Sequence, residues 1–176
     1  MKNKLYVMCG CPGSGKSTYC KERRPYFGEN VRYISRDDIR FSLVNEGEEY
    51  FSHENEVFKE YIENIKQGLR ICDATIADAT HLNRGSRTKL FRNLGTSLKG
   101  CKVIAVVIRT PLEVCLERNE KRVDTRAYVP VSAIKNMYES FTMPTFEEGF
   151  DEIVIVDTVK NKTVIKTKEN ERNRNE

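Results

Sequence analysis

Histidine is scarce in this chain of 176 residues, with only His53 and His81 present. The six cysteines (Cys9, Cys11, Cys20, Cys72, Cys101 and Cys115) never fall at C-x-x-C spacing, so a zinc site is poorly supported. Cys9, Cys101 and Cys115 lie in or beside apolar runs, and the expectation is buried thiols in a reducing compartment rather than a disulfide framework. No run approaches the roughly 18 apolar residues needed to cross a bilayer. The first apolar segment is too short for a signal peptide and leads straight into a glycine-rich stretch. These absences point to a cytoplasmic protein without membrane contact. Internal repeats and domain linkers are missing too, so a single domain is expected. A large excess of one charge is also lacking: 30 basic against 26 acidic residues leave +4. That balance permits an anionic substrate without requiring nucleic acid.

What is present centres on one stretch, Gly10-Cys11-Pro12-Gly13-Ser14-Gly15-Lys16-Ser17, directly after the apolar run Leu5 to Cys9. It fits G-x-x-x-x-G-K-[ST], the phosphate-cradling P-loop. Glycines at 10, 13 and 15 allow the backbone to turn several N–H groups towards one anion, and Pro12 stiffens the loop without losing a needed donor. The helix expected over Lys16 to Arg23, beginning near Gly15 with Thr18 in its first turn, adds its free N–H groups and the positive end of its dipole. Lys16 reaches the β- and γ-phosphates in such a loop, and the Ser17 hydroxyl holds Mg²⁺. The cofactors expected are ATP and Mg²⁺.

Strand-like and helical runs alternate along the chain, which argues for βα units and a parallel sheet. Strands are expected at Leu5–Cys9, Val31–Ser35, Thr75–Asp78, Lys102–Arg109 and Ile153–Val156, with residues 163–167 beside the last of them. Helices are expected at 38–44 with Asp38 as a candidate N-cap, from about Tyr50 to Cys72, at 83–98, at 112–122 and from Pro130. The fold expected is a three-layer α/β P-loop NTPase/kinase fold with a mainly parallel five-stranded sheet flanked by helices, over residues 1–168. Residues 169–176 contain no apolar residue and are expected to form a disordered tail. In open sheets of this kind the ligand sits beyond the carboxyl ends of the strands, where Gly10, Asp37, Asp78 and Arg109 all fall.

The acceptor side is written in fewer residues. Asp37-x-x-Arg40 places a carboxylate and a guanidinium one helical turn apart. The carboxylate can take the proton of an acceptor hydroxyl, and the arginine can grip an anionic part of the same molecule. A plain surface ion pair is the alternative. Arg118 and Arg122, at i, i+4, are expected to share one helical face before the lid-like stretch Val123–Pro130. They can neutralise charge on the transferring phosphate, against the alternative of a solvated basic helix end.

The segments Gly10 to Thr18, Ser35-Arg-Asp-Asp-Ile-Arg40, Asp78-Ala-Thr-His-Leu-Asn-Arg84, Arg118-x-x-x-Arg122 and Ile134-Lys-Asn-Met-Tyr138 resemble phage-type polynucleotide 5′-kinase domains in order and spacing. The similarity covers residues 1 to 157. It implies an ATP-dependent kinase for the 5′-hydroxyl of DNA or RNA ends, or of nucleoside 3′-monophosphates. It further implies Lys16 and Ser17 at the phosphates and Mg²⁺, Asp37 as general base, and Arg40 on the acceptor's 3′-phosphate. Asp78 and Thr80 would lie near the acceptor, and Arg118 and Arg122 on the donor phosphates. No D-x-D-x-T phosphatase signature is present. A small-molecule kinase with the same phosphate machinery is the second reading. A nucleotide-dependent switch is the third, although the guanine-specific N-K-x-D is absent. Oligomeric state is open, a homo-oligomer included.

Overall fold

The computed structural model describes residues 3–45, 48–49 and 51–172. Tyr50, where the sequence suggested that the long helix begins, and tail residues 173–176 lie outside the described residues. The chain runs β1 (Lys4–Cys9), α1 (Lys16–Glu22), α2 (Arg24–Phe27), β2 (Val31–Ser35), α3 (Arg36–Leu43), α4 (Glu54–Ile71), β3 (Ala74–Asp78) and α5 (Arg84–Leu94). It continues through β4 (Lys102–Arg109), α6 (Leu112–Glu120), α7 (Val131–Glu139), β5 (Glu152–Asp157), β6 (Lys162–Thr167) and α8 (Lys168–Arg172).

The strands form one sheet of order β2-β3-β1-β4-β5-β6. Every pairing is parallel except β5 with β6. Strand alternation sorts the core into two layers. Leu5, Val7 and Cys9 of β1, with Val103, Ala105 and Val107 of β4, pack under Val57, Tyr61, Ile65 and Leu69 of α4 and Leu90 and Leu94 of α5. Met8, Ile104, Val106 and Ile108 face the opposite way, onto Cys20 of α1 and Phe27 of α2. Being covered on both sides, β4 is a continuous apolar run rather than an alternating one.

The sheet has six strands, not five: residues 163–167, expected beside the last core strand but left out of the count, belong to β6 and pair with β5. β6 returns antiparallel from β5 through a turn in which Asn161 has φ 47°. Its first four residues are exposed, so its sequence has no buried face to mark it as a full member of the sheet. The helix after β2 begins at Arg36, capped by Ser35 Oγ accepting from the Asp38 N–H at 3.1 Å. Asp38 is therefore a first-turn residue, not the N-cap. The helix expected over 83–98 stops at Leu94, because Gly95 at φ 52° leaves the helical region and only a 3₁₀ turn, Gly95–Leu98, follows. Beyond β6, α8 forms where the sequence suggested a tail, with the Asn170 N–H 3.4 Å from Thr167 Oγ1 and Lys168 Nζ 3.0 Å from Asp151. Among the described residues no helix is long and apolar enough to cross a membrane.

Candidate active site

The glycine-rich loop leaves the end of β1, and its geometry requires its glycines. Gly13 has φ 76°, and a Cβ there would lie 2.5 Å from the Cys115 carbonyl oxygen of α6. Gly15, the residue before α1, has φ 98° and caps that helix without a side chain. The loop is held from behind: Thr110 Oγ1 donates to the Ser14 carbonyl at 2.8 Å, and Arg118 Nη1 donates to the Gly13 and Ser14 carbonyls at 3.2 Å each. Gly10 N–H donates to the Thr80 carbonyl at 2.9 Å, which ties the loop to the end of β3. Lys16 Nζ sits among the loop carbonyls, 2.9 Å from those of Gly10 and Cys11.

Ser17 stands one residue further, its Oγ 2.8 Å from Asp78 Oδ2 at the tip of β3. The same carboxylate oxygen accepts from the Tyr33 hydroxyl of β2. Burial, then the Asp78 charge, raises the Tyr33 pKa and keeps it a donor. A hydroxyl paired with a buried carboxylate beside a glycine-rich loop is a donor set for a hard divalent cation with phosphate oxygens. The loop conformation, the lysine and this pair together fit a nucleoside triphosphate with Mg²⁺.

Across a cavity of about 240 Å³ from Lys16, Ser17 and Thr18 lies the second wall, from α3 and the start of α4. Asp37 and Arg40 line it, as the sequence suggested, with Arg36 and Glu54 beside them. Arg40 is buried and bridges two carboxylates. It donates to Asp37 Oδ1, and through Nε and Nη2 to Glu54 Oε1 at 2.8 and 2.6 Å. Arg36 Nη2 holds the other oxygen of Glu54 at 2.7 Å. The remaining lining includes Pro12, Asp78, Thr80, Arg122 and Phe51.

The two lid arginines separate. α6 ends at Glu120, so Arg118 and Arg122 do not share a helical face as expected. Asn119 explains the break. Its side chain bonds both the N–H and the carbonyl of Val129, at 3.0 and 2.8 Å, and folds the following segment back on the helix end. Arg122 then faces the cavity, while Arg118 stays behind the loop. Arg126 carries the same segment across to α3, donating to the Val44 carbonyl with its guanidinium 5.4 Å from the Phe41 ring.

Behind the loop His81 is buried, its Nδ1 2.7 Å from the Met8 carbonyl and its Nε2 3.4 Å from the Tyr61 hydroxyl. Burial pushes its pKa down to about 4. Cys11, inside the loop, has its thiol pushed up to about 11 by burial, which makes it an inert packing group. Glu54, Tyr33, Arg36, Phe51 and Thr110 were missed in the sequence. Only the first-turn acidic position of Glu54 left a local trace, and that trace also fits plain complementarity to the helix dipole.

The family described as AAA domain matches residues 5–144. A protein of the Autographa californica nuclear polyhedrosis virus, provisionally named a bifunctional polynucleotide kinase/RNA ligase, is 27% identical over 151 residues, covering 78% of this chain and 21% of its own. The Arabidopsis thaliana transcription factor bHLH140 is 25% identical over 157 residues, 87% of this chain and 16% of its own. The chain thus spans about a fifth or less of these curated relatives. Among solved structures, a chain of the Pnkp1/Rnl/Hen1 RNA repair complex superposes with a TM-score of 0.59 at 25% identity, covering 78% of this chain and 43% of that one. A fungal RNA kinase superposes at 0.60 with 12% identity over 91% of this chain and 77% of its own. A gluconokinase from Sinorhizobium meliloti superposes at 0.56 with 19% identity over 89% and 83%. The last two likenesses are of fold, a P-loop kinase fold with flanking helices.

Proposed function

The chain belongs to the AAA domain family, and from that premise we propose that it is an ATP-dependent kinase transferring the γ-phosphate to the 5′-hydroxyl of DNA or RNA ends. One observation carries the reading: Asp37 and Arg40 line the same cavity as Lys16, Ser17 and Arg122. A nucleotide switch needs only the nucleotide wall. A wall with a carboxylate and a buried, carboxylate-held guanidinium gives a hydroxyl-bearing anion a place to bind. The 25% identity to a chain of an RNA repair complex and the name of the viral relative support nucleic acid as that anion.

Bound MgATP would supply the phosphoryl group and the cation that neutralises its oxygens. The residues of the chain do the rest. Lys16 places a positive charge in the loop, and Ser17 with Asp78 would hold the cation. That role puts Asp78 on the donor side, 2.8 Å from Ser17, and leaves Thr80 as the acceptor-side lining residue. Asp37 takes the proton of the attacking hydroxyl, Arg40 fixes the acceptor's 3′-phosphate, and Arg122 offsets charge from the lid. Arg118 acts on the donor side by bracing the loop through its carbonyls.

The acceptor wall, with Asp37 and Arg40 side by side, also suits a small anionic acceptor that carries a hydroxyl. An acceptor panel with γ-labelled ATP decides between them. The proposal expects label on 5′-hydroxyl oligonucleotides and nucleoside 3′-monophosphates. Label on a sugar alone overturns it, and ATP turnover that needs no acceptor returns the switch.

A further inference from the structure

We propose that Phe51 is a stacking platform for the base of the acceptor's terminal nucleotide, so that this wall selects ends that carry a nucleobase. The inference rests on the kinase reading above and sharpens its substrate class.

Phe51 is 51% exposed, whereas Phe27 and Phe150 are 7% and 0% exposed. It lines the cavity together with Asp37 and Arg40. The Arg40 guanidinium lies over the ring, 5.5 Å from its centroid. One ring face is thereby turned to the residue proposed to hold the 3′-phosphate, while the residue as a whole is half exposed at the cavity. Glu54, three residues on, anchors Arg40 at 2.6 and 2.8 Å, so the ring and the guanidinium are held by one short stretch of chain.

The chemistry points to a flat π-system. A phosphate gains nothing from an aromatic face, and the charged groups needed for it are already on this wall. A nucleobase gains from any aromatic face whatever its hydrogen-bonding edge, which suits a site that reads an end rather than a sequence. In one nucleotide the base and the 3′-phosphate flank the same ribose. On this wall Phe51 and Arg40 are neighbours in the same way.

The test compares a 5′-hydroxyl dinucleotide with its analogue lacking the first base, which keeps the hydroxyl and the 3′-phosphate. Wild type should favour the base-bearing end in kcat/KM by roughly 5- to 150-fold, the span of base–aromatic stacking. Phe51→Ala should lose most of that ratio by slowing only on the base-bearing end. Equal rates on both substrates with wild type overturn the proposal, as does an equal fall on both with Phe51→Ala.

The chain contains no tryptophan, so Phe51→Trp places a single tryptophan, excited selectively over the eight tyrosines, on the wall. Its emission should be quenched by the dinucleotide and much less by the analogue lacking the base. If wild type phosphorylates no oligonucleotide, the kinase reading fails on its own account. The fluorescence titration then still decides: base-dependent quenching keeps the stacking site, and its absence removes it.

Discussion

The two walls of the cavity are built on opposite principles. The nucleotide wall is backbone: Gly10 to Ser17 sit between β1 and α1, pinned by Thr110, Arg118 and the Thr80 carbonyl, and Gly13 is pressed against α6. The acceptor wall is side chain: Asp37, Arg36, Arg40 and Glu54 form one ion cluster, with Phe51 and Arg122 around it. A backbone wall recognises what all phosphates share and tolerates little change. A side-chain wall can be re-specified by a few substitutions, because its residues answer to the ligand and not to the sheet. The difference teaches where specificity is carried. The donor is chosen by conformation and the acceptor by charge and surface.

The sharpest break of this comparison is Lys16→Met. With the positive charge of the nucleotide wall removed, turnover should fall by on the order of 10³-fold or more, while circular dichroism and melting temperature report a folded protein. Unchanged turnover would end the P-loop kinase reading. On the other wall, Asp37→Asn should lower kcat by about 10²- to 10⁴-fold, the range of a general base, with ATP affinity retained. Loss of ATP binding instead would move Asp37 to the donor side.

The nucleotide wall should also carry a pH dependence of stability. His81, behind the loop, has a folded pKa of about 4 against an unfolded value near 6.5. Between these values the unfolded chain binds the extra proton, so stability is full above about pH 6.5 and declines as the pH drops towards 4. The decline amounts to roughly 3 kcal/mol. His81→Asn keeps a residue tolerant of the positive φ of 38° and removes the titration. Urea unfolding of both proteins at pH 7.5 and pH 4.5 measures this. The stability gap between them should narrow on acidification, and a constant gap would exclude His81 as the source.

The smallest effect sharpens the comparison most. Arg40→Ala should shrink the preference for a nucleoside 3′-monophosphate over the plain nucleoside by about 10- to 150-fold in kcat/KM, as one lost charge-assisted hydrogen bond would. ATP affinity is the control. If the preference survives, Arg36, which shares Glu54 with Arg40, becomes the candidate for reading the anion.

Legibility followed the distance over which each feature is made. The P-loop is a strand, a turn and a helix in unbroken succession, and its glycines are demanded by local backbone angles, so its sequence carries its geometry. The continuous apolar run of β4 likewise states a strand covered on both faces. Asp37 and Arg40 were legible because one helical turn separates them. By contrast, residues 163–167 were placed beside the last strand but not counted in the sheet, because β6 is set by hairpin pairing at an edge whose outer face meets solvent, and solvent imposes no pattern. The parting of Arg118 from Arg122 was decided by Asn119 reaching Val129, ten residues away. Tyr33 meets Asp78 from 45 residues off, and Glu54 meets Arg40 from 14, through a sheet and a helix pair that bring distant segments together. The sequence by itself determined the phosphate cradle and the character of the central strands, because their causes lie within a few residues. Only the tertiary structure decided which carboxylates, aromatics and arginines face the cradle, because those neighbours are chosen by packing and not by spacing.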